Sequence, residues 1–185
     1  MNIYVVVDTE TTGLDPESGD SIIEIAAVPV YKGKIYKKHM FHALVNPIVR
    51  VPAVVTSIHG LKNSDLESYP TMHEVLPRFI KYVGSAVLVM HNAAMDLSFL
   101  DAAAKSVGRL PPFVQYVDTL EIAKYLYPKE GHSLMHLANK YRIKVENLHR
   151  AKTDALLTAK VFLRMLRLLG EDEVRGFIKI WKGVG

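Results

Sequence analysis

The sequence predicts an α/β protein built on a mixed five-stranded sheet with helices on its flanks. An apolar, β-branched run at the start of the chain is typical of a strand buried on both faces. A strand–turn–strand pattern follows it, which predicts that the first three strands are antiparallel. From residue 86 onward strands and helices alternate, as they do in sheets that helices cover.

The composition is that of one globular domain covering residues 1–185. The chain is 49% hydrophobic and 23% charged, and it is long enough for a proper core. No apolar run is long enough to cross a membrane and no signal peptide is evident, so we expect a soluble, cytoplasmic protein with no membrane partner. The absence of cysteine excludes disulfides and thiolate metal sites. The net charge of +4 suits a polyanionic partner without requiring one.

The first half of the chain should form the antiparallel part of the sheet and one well-marked helix. Its predicted elements are, in order, a strand around Val5–Val7 that ends before Gly13, a strand over Ile22–Tyr31, a turn over Lys32–Lys34, a strand over Ile35–Val45, a short helix over Val51–Gly60 and a polar connection over Lys62–Pro70. Thr71 and Glu74 then fit a capping box. Apolar residues at helical spacing follow it up to Val83, although Pro77 interrupts the pattern.

The second half should alternate between strands and helices. Its predicted elements are a strand over Ala86–Met90, a helix over Met95–Lys105, a strand over Phe113–Val117, and helices over Leu120–Tyr127, Ser133–Tyr141, Thr153–Leu169 and Asp172–Trp181. The helix before Gly170 is the longest. Its polar face carries Lys160, Arg164 and Arg167, and a charged face of this kind is usually just solvated.

Two acidic residues end the first strand. Asp8 and Glu10 are two residues apart, so both side chains point to the same side of a strand. Two acids at a strand end often form a solvated rim. A pair at the end of a buried strand is costly, however, because the charges repel each other and lose water. We therefore expect a positive group nearby.

Two further acids lie on the apolar faces of predicted helices. Asp96 precedes apolar residues at offsets of three, four and seven, and Asp154 does so at offsets of three and seven. Either aspartate alone would be explained as a helix cap or a partner of the helix dipole. Four inward-facing acids without matching inward Lys or Arg are harder to explain structurally. Divalent cations with oxygen ligands would neutralise them, and such a cluster is typical of Mg²⁺ or Mn²⁺ acting on phosphate.

A histidine stands next to the last of these acids. His149 comes five residues before Asp154, in the loop that enters the longest helix. An imidazole with a pKa near neutrality suits a general base that takes a proton from the attacking water. The chain has eight histidines, and a lone one is usually a surface or satisfied core residue, so only its position distinguishes His149.

Three motifs that contain these residues together resemble the DnaQ-like 3′–5′ exonucleases of the DEDDh type, which carry four acids and one histidine. The motifs are Asp8-Thr-Glu-Thr-Thr-Gly-Leu14, His91-Asn-Ala-Ala-Met-Asp96 and His149-Arg-Ala-Lys-Thr-Asp-Ala155. Their order and spacing match the family over nearly the whole chain. Ile22–Val28 also resembles the family's second strand, and Ile58–Leu61 resembles a loop that approaches the substrate. The first motif is most similar to the bacterial proofreading branch, the epsilon subunit of DNA polymerase III.

The resemblance implies an RNase H-like fold and a two-metal mechanism with two Mg²⁺ or Mn²⁺ ions. By motif, Asp8, Glu10 and Asp154 should hold the catalytic ion and Asp8 should bridge to the second. Asp96 should act directly or through water, and His149 should be the general base. The implied reaction is hydrolysis of the terminal phosphodiester at the 3′ end of single-stranded DNA to nucleoside 5′-monophosphates. A DNA polymerase is then an implied partner.

The resemblance also implies contacts to the terminal nucleotide. Thr11, Leu14, His59 and Asn92 match positions that line it in the family. Packing within the loop is an alternative for Leu14, and a surface role is an alternative for His59. Met95 occupies a position where the family usually has Phe. A thioether contacts an aromatic face more weakly than a ring does, so base stacking there should be weaker while the chemistry is unaffected.

Several alternatives stay open at this point. An exoribonuclease that trims RNA ends fits as well, since no residue evidently contacts a 2′-hydroxyl. A non-catalytic module that binds nucleic acid or a polymerase is a second alternative. Such a module would be expected to lack one of the four acids or the histidine, and this sequence has all five. A metal-dependent enzyme acting on a small phosphate ester is the third.

Overall fold

The computed structural model describes residues 2–108, 114–145 and 149–183. Its centre is a mixed sheet of seven strands in the order β3-β2-β1-β5-β6-β7, with β4 also paired to β2. The strands are β1 (Tyr4–Thr11), β2 (Ile22–Tyr31), β3 (Lys34–Ile35), β4 (Phe41–Leu44), β5 (Val87–Met90), β6 (Val114–Asp118) and β7 (Lys179–Trp181). The prediction of a mixed α/β sheet is confirmed, whereas the predicted number of five strands is wrong.

Strand β1 lies in the middle of the sheet. It pairs with β2 in antiparallel and with β5 in parallel orientation. Its side chains alternate between two cores, because successive residues of a strand point to opposite faces. Val5 and Val7 pack on one face, and Tyr4 and Val6 pack on the other. The prediction of a strand buried on both faces is therefore confirmed.

Helices cover both faces of the sheet. They are α1 (Ala53–His59), α2 (Asn63–Leu66), α3 (Met72–Val83), α4 (Ala93–Ser106), α5 (Thr119–Leu126), α6 (Leu134–Lys140), α7 (Ala151–Leu169) and α8 (Glu171–Arg175). Helices α3 and α4 pack on the face of Val5 and Val7. Helices α5 to α8 pack on the face of Tyr4 and Val6. None of the helices in the described ranges is long and apolar enough to cross a membrane.

The predicted third strand is interrupted in the structure. Strands β3 and β4 both pair with the outer edge of β2, and a 3₁₀ turn over Lys37–His39 separates them. The interruption lies opposite Pro29, whose carbonyl accepts a hydrogen bond from the Tyr36 N–H at 2.9 Å. Proline has no N–H to offer in return, so the neighbouring strand leaves the sheet at this point.

The predicted last helix over Asp172–Trp181 is wrong in its second half. Helix α8 ends at Arg175, and the following residues form β7 at the outer edge of β6. The Trp181 indole N–H donates to Asp101 Oδ2 at 2.8 Å, which fixes this strand against α4. An edge strand that needs a partner thus overrides a local helical pattern.

The predicted strand over Ile22–Tyr31 is confirmed with the same ends, and the other predicted elements are present with shifted ends. The polar connection over Lys62–Pro70 contains the short helix α2. The capping box of α3 is formed, with the Thr71 N–H donating to Glu74 Oε2 at 3.1 Å. Phe113, the predicted first residue of the fifth strand, lies outside the described residues.

Candidate active site

The alternation along β1 determines which helix each acid faces. Asp8 and Glu10 follow Tyr4 and Val6 on the face that α7 covers, because side chains two residues apart point to the same side. Thr9 points to the opposite face, toward α4. The end of β1 therefore supplies polar groups to both layers of helices.

Asp154 completes a cluster with the two acids of β1. It is the fourth residue of α7 and is buried. Asp8, Glu10 and Asp154 each offer a carboxylate oxygen, and these three oxygens lie within 4.8 Å of one another. Asp154 Oδ2 accepts a hydrogen bond from the His149 N–H at 2.9 Å, whereas its buried Oδ1 has no hydrogen-bond partner. One oxygen of Asp154 is thus held in place and the other is left free for a ligand.

Asp96 lies beside this cluster, on the other face of β1. It is the fourth residue of α4 and is buried. Its Oδ1 accepts hydrogen bonds from the Thr9 hydroxyl at 2.6 Å and the Thr9 N–H at 3.1 Å. Asp96 is close enough to Asp8 for the two charges to interact, although it does not belong to the group of three oxygens. Thr9, between the two acids of the first motif, is a contact that the sequence analysis did not identify.

The four carboxylates shift one another's protonation in the absence of a cation. Burial, reinforced by Asp96 and Asp154, raises the pKa of Asp8 well above its ordinary value. Burial, with Asp154 and Glu24 adding repulsion, raises the pKa of Glu10 to about 8. Burial also raises the pKa of Asp96 to about 7, although its hydrogen bonds with Thr9 act in the opposite direction. The ionised forms of the carboxylates at the end of β1 are thus disfavoured unless a cation neutralises them.

This arrangement fits a divalent cation. Ligand distances of about 2.0–2.6 Å allow one ion to contact oxygens separated by up to about 5 Å, and the three oxygens meet that limit. The unpartnered Asp154 Oδ1 is a further sign, since buried oxygens normally accept a hydrogen bond. The donor set contains only oxygen, which suits Mg²⁺ or Mn²⁺.

His149 lies at the entrance to α7 and is exposed. Its backbone has a φ of +63°, a left-handed conformation that is unusual for histidine. The hydrogen bond from its N–H to Asp154 holds this conformation. The backbone of His149 is thus fixed to one of the clustered acids, while its side chain is open to solvent.

An ion pair between the buried Glu24 and the partly exposed Arg150 anchors the start of α7 to β2. Glu24 is fully buried and lies opposite Glu10 in the antiparallel pairing of β1 with β2. Its carboxylate accepts from Arg150 Nε at 2.9 Å and Nη2 at 3.2 Å, and from the ring of His42 at 2.7 Å. Burial would raise the pKa of Glu24, but these hydrogen bonds outweigh it and lower the pKa. The sequence signal was an acid inside the apolar strand β2, which the sequence analysis noted only as part of a family segment.

A second anchor holds the start of α4. Asp118 ends β6 and caps α5 by accepting from the Leu120 N–H at 2.8 Å. The same carboxylate accepts from the N–H groups of Asn92 at 2.9 Å and Ala93 at 3.0 Å. It therefore fixes the turn before Asp96. The sequence analysis did not identify this residue, because its partners come from a different part of the chain.

The residues predicted to line the terminal nucleotide differ in their surroundings. Leu14 is 81% exposed, so packing within its loop does not explain it. Asn92 is exposed and has a φ of +68°. The Thr11 hydroxyl donates to the Gly13 carbonyl at 2.6 Å, and Met95 is half-buried against the core of α3 and α4.

His59 is buried, so the structure does not support a surface role for it. Its Nδ1 accepts from the Leu61 N–H at 3.1 Å, which places the proton of the neutral ring on Nε2. That nitrogen is buried without a hydrogen-bond partner. Burial also lowers the pKa of His59, which keeps the ring neutral. His59 thus presents an unsatisfied N–H donor.

Comparison with known proteins places the chain in a family. The family model described as "Exonuclease" matches residues 5–162. DNA polymerase III PolC-type of Caldanaerobacter subterraneus subsp. tengcongensis is 38% identical over 178 residues, which are 96% of this chain and 12% of that protein. A DNA polymerase III subunit epsilon-like protein of Rhodobacter capsulatus is 40% identical over 170 residues, which are 90% of this chain and 24% of that protein. The chain thus spans a small part of the length of these relatives.

Solved structures agree with this placement. Exonuclease X, in complex with 5′ overhanging duplex DNA, superimposes with a TM-score of 0.73 and 26% identity over 92% of this chain and 99% of that chain. The nuclease domain of 3′hExo, a DEDDh family member bound to rAMP, has a TM-score of 0.81 and 17% identity over 99% of this chain and 98% of that chain. The predicted RNase H-like fold is confirmed. The chain belongs to the exonuclease family.

Proposed function

We propose that the chain is a 3′–5′ exonuclease that removes nucleotides from the 3′ end of single-stranded DNA as nucleoside 5′-monophosphates. The observation that carries the proposal is the cluster of three carboxylate oxygens within 4.8 Å at the end of β1. DNA is favoured over RNA because the relatives include DNA polymerase III proteins. We further propose that residues 1–185 act as one exonuclease domain.

In this proposal, each of the four acids has a role toward two Mg²⁺ or Mn²⁺ ions. Asp8, Glu10 and Asp154 would hold the catalytic ion, and Asp8 would be shared with the second. Asp96 would act directly or through water from its position beside Thr9. When bound, divalent ions neutralise the charge that develops on the phosphodiester and stabilise the leaving 3′ oxygen. Without the ions, the negative charge of the acids would repel the phosphate.

His149 would act as the general base. It accepts a proton from the water that attacks the terminal phosphorus, so its side chain must move freely at the entrance of the site. Its exposed position and its backbone hydrogen bond to Asp154 support this role. A neutral imidazole can accept this proton.

Five residues would contact the terminal nucleotide. They are Thr11, Leu14, His59, Asn92 and Met95. His59 Nε2–H would donate to an oxygen of the substrate, since a buried donor without a partner is costly unless a ligand satisfies it. Leu14, being exposed, would contact the terminal base or its neighbour.

The deciding test is the release of mononucleotides from 3′-labelled single-stranded DNA and from RNA of the same sequence. It is run with Mg²⁺ or Mn²⁺ and with EDTA, beside Asp154→Asn. We expect metal-dependent release of nucleoside 5′-monophosphates from DNA, abolished by EDTA and reduced at least 10³-fold in the variant, about the effect of losing a group that acts in the transition state. Faster release from RNA would indicate an exoribonuclease. Strand binding without release would indicate a non-catalytic module.

We also propose that the reaction serves proofreading beside a DNA polymerase. The PolC-type and epsilon-like relatives support this. A proofreading exonuclease should remove a mispaired 3′ terminus faster than a paired one, because the mispaired end separates more readily from the template. Equal rates on matched primer–templates with a paired and a mispaired 3′ end would contradict proofreading without affecting the exonuclease proposal.

A further inference from the structure

Positive charge is concentrated in one stretch of the chain. Residues 25–64, here called the basic flank, contain no Asp or Glu and six Lys or Arg: Lys32, Lys34, Lys37, Lys38, Arg50 and Lys62. The chain has 23 basic and 19 acidic residues. Outside the basic flank there are 17 basic and 19 acidic residues, so the rest of the chain has a net charge of −2. The whole positive net charge therefore resides in the basic flank.

The basic flank forms the β2 side of the sheet. It contains residues 25–31 of β2, the strands β3 and β4 that pair with the outer edge of β2, and α1, which ends at His59. Near the active site, β4 pairs with β2 at Glu24, opposite Glu10. At the other end, β3 pairs with the same strand at Tyr31. Since antiparallel strands advance about 3.4 Å per residue, Glu24 and Tyr31 are roughly 24 Å apart along β2.

The basic side chains of the flank are exposed and are not neutralised by the residues that the structure describes. All six are exposed, and in the part of the chain that the structure describes none of them forms an ion pair. The Lys32 ammonium lies 5.3 Å from the centre of the Tyr31 ring, and Tyr36 nearby is 37% exposed. Glu171 lines the same cavity as Lys32, so an acidic residue lies near the flank at this end. Four lysines within seven residues thus create a positive surface with tyrosines between them.

We infer that the basic flank binds the phosphodiester backbone of the substrate strand beyond the nucleotides held in the active site. This inference rests on the proposed function, because it takes the substrate to be a nucleic-acid strand. Phosphates of one strand are spaced by about 3.4 Å along the axis of duplex DNA and lie farther apart in an extended single strand, so at most about seven nucleotides span the distance to the far end of the flank. The far-end lysines therefore contact long strands and cannot reach the phosphate of a dinucleotide in the active site.

The test compares two variants with the same change in net charge. The flank variant carries Lys→Gln at Lys32, Lys34, Lys37 and Lys38. The matched control carries Lys→Gln at four exposed lysines outside the flank, namely Lys81, Lys124, Lys129 and Lys182. Thermal unfolding of each checks that both variants fold. Binding of 5′-fluorescein-labelled dT20 and rU20 is followed by anisotropy in EDTA at several salt concentrations, and hydrolysis of dT20 and of the dinucleotide dTpdT is measured with Mn²⁺.

We expect the flank variant to bind dT20 at least tenfold more weakly than the wild type at low salt, and the control to bind within twofold. The slope of log K against log salt should fall in magnitude by up to about 3 in the flank variant, because each lost contact to a single strand removes about 0.7. Hydrolysis of dTpdT should be unchanged in both variants. The same losses with rU20 would show that the flank recognises the backbone common to DNA and RNA.

Equal effects of the two variants would overturn the inference, since total charge would then be responsible. No effect of the flank variant would also overturn it and would favour an acidic protein surface as the occupant. If the proposed function is wrong, the wild type will hydrolyse neither dT20 nor dTpdT. The anisotropy measurements do not depend on hydrolysis, so they will still show whether the flank binds a strand.

Discussion

The protonation of Glu10 makes the stability of the folded protein depend on pH. Its pKa in the folded, metal-free protein is raised by burial and by Asp154 from 4.5 to about 8. An acid with a raised pKa binds its proton more tightly in the folded state. Its contribution to stability is therefore complete below about pH 4.5 and is lost as the pH rises through about 8.

We accordingly expect Glu10→Gln to be more stable than the wild type at pH 8.5 in EDTA, and nearly equal to it at pH 5. Because Glu10 is only half-buried, a difference of about 1–2 kcal/mol in the free energy of unfolding is reasonable at pH 8.5. Urea unfolding at the two pH values measures it. The exposed Glu67 supplies the control Glu67→Gln. A pH-independent difference between Glu10→Gln and the wild type would contradict the expectation.

His149 gives a second prediction at the scale of one residue. His149→Gln should lower kcat by about 10²–10⁴, the usual contribution of a general base, with little change in KM. The rate of mononucleotide release from 3′-labelled DNA, measured over a range of DNA concentrations, tests it. His73→Gln, at an exposed position of α3, is the matched control. A loss of less than tenfold would assign the proton transfer to another group.

The acids of the site were predictable because they break local patterns. Asp96 and Asp154 stand on apolar helix faces, and this could be inferred from spacing alone. The groups that hold these acids in place could not be predicted in the same way. Asp118 and Arg150 act through partners that lie far away in the sequence, so their roles depend on the folded chain.

At the scale of elements, the sequence predicted most helices and strands and failed at the edges of the sheet. The interruption between β3 and β4 and the formation of β7 both depend on hydrogen bonds with a neighbouring strand. The apolar residues between Val174 and Trp181 fit a helical period, but pairing with β6 decides their conformation. Local periodicity does not contain this information.

The attachment of α7 to β2 leads to a prediction for an element. Glu24→Gln leaves Arg150 without its buried partner and loosens the start of α7, where His149 and Asp154 lie. We expect the free energy of unfolding to fall by about 1.5–3 kcal/mol, the usual value of hydrogen bonds to a charged group, because Arg150 is 39% exposed and stays hydrated. Since Glu24 is fully buried, kcat should fall about tenfold with little change in KM.

Arg175→Gln is the control for this change, because it removes ion pairs with Glu171 and Asp172 at the surface, each worth about 0–1 kcal/mol. Urea unfolding and steady-state kinetics on the same preparations separate the two effects. If Glu24→Gln lost stability but kept the kcat of the wild type, the ion pair would be structural only and would not position the site.

At the scale of the whole molecule, the candidate site exists only when the chain is folded. Its acids come from β1, α4 and α7, which lie in different layers around the sheet. The unfolded chain keeps these carboxylates far apart and cannot hold an ion among them. A cation that binds the folded state alone shifts the unfolding equilibrium of the entire protein.

Divalent ions should therefore raise the melting temperature. At a hundred times its dissociation constant, an ion adds about 2.7 kcal/mol to the free energy of unfolding, which corresponds to roughly 5–10 °C for a chain of this size. The gain should be larger at pH 8 than at pH 6, because the raised pKa values of Asp8 and Glu10 make protons compete with the ion at lower pH. Thermal unfolding with MnCl₂ and with EDTA at both pH values measures it. Asp154→Asn should show little or no gain, and an equal gain in this variant would place the bound ion outside the cluster of Asp8, Glu10 and Asp154.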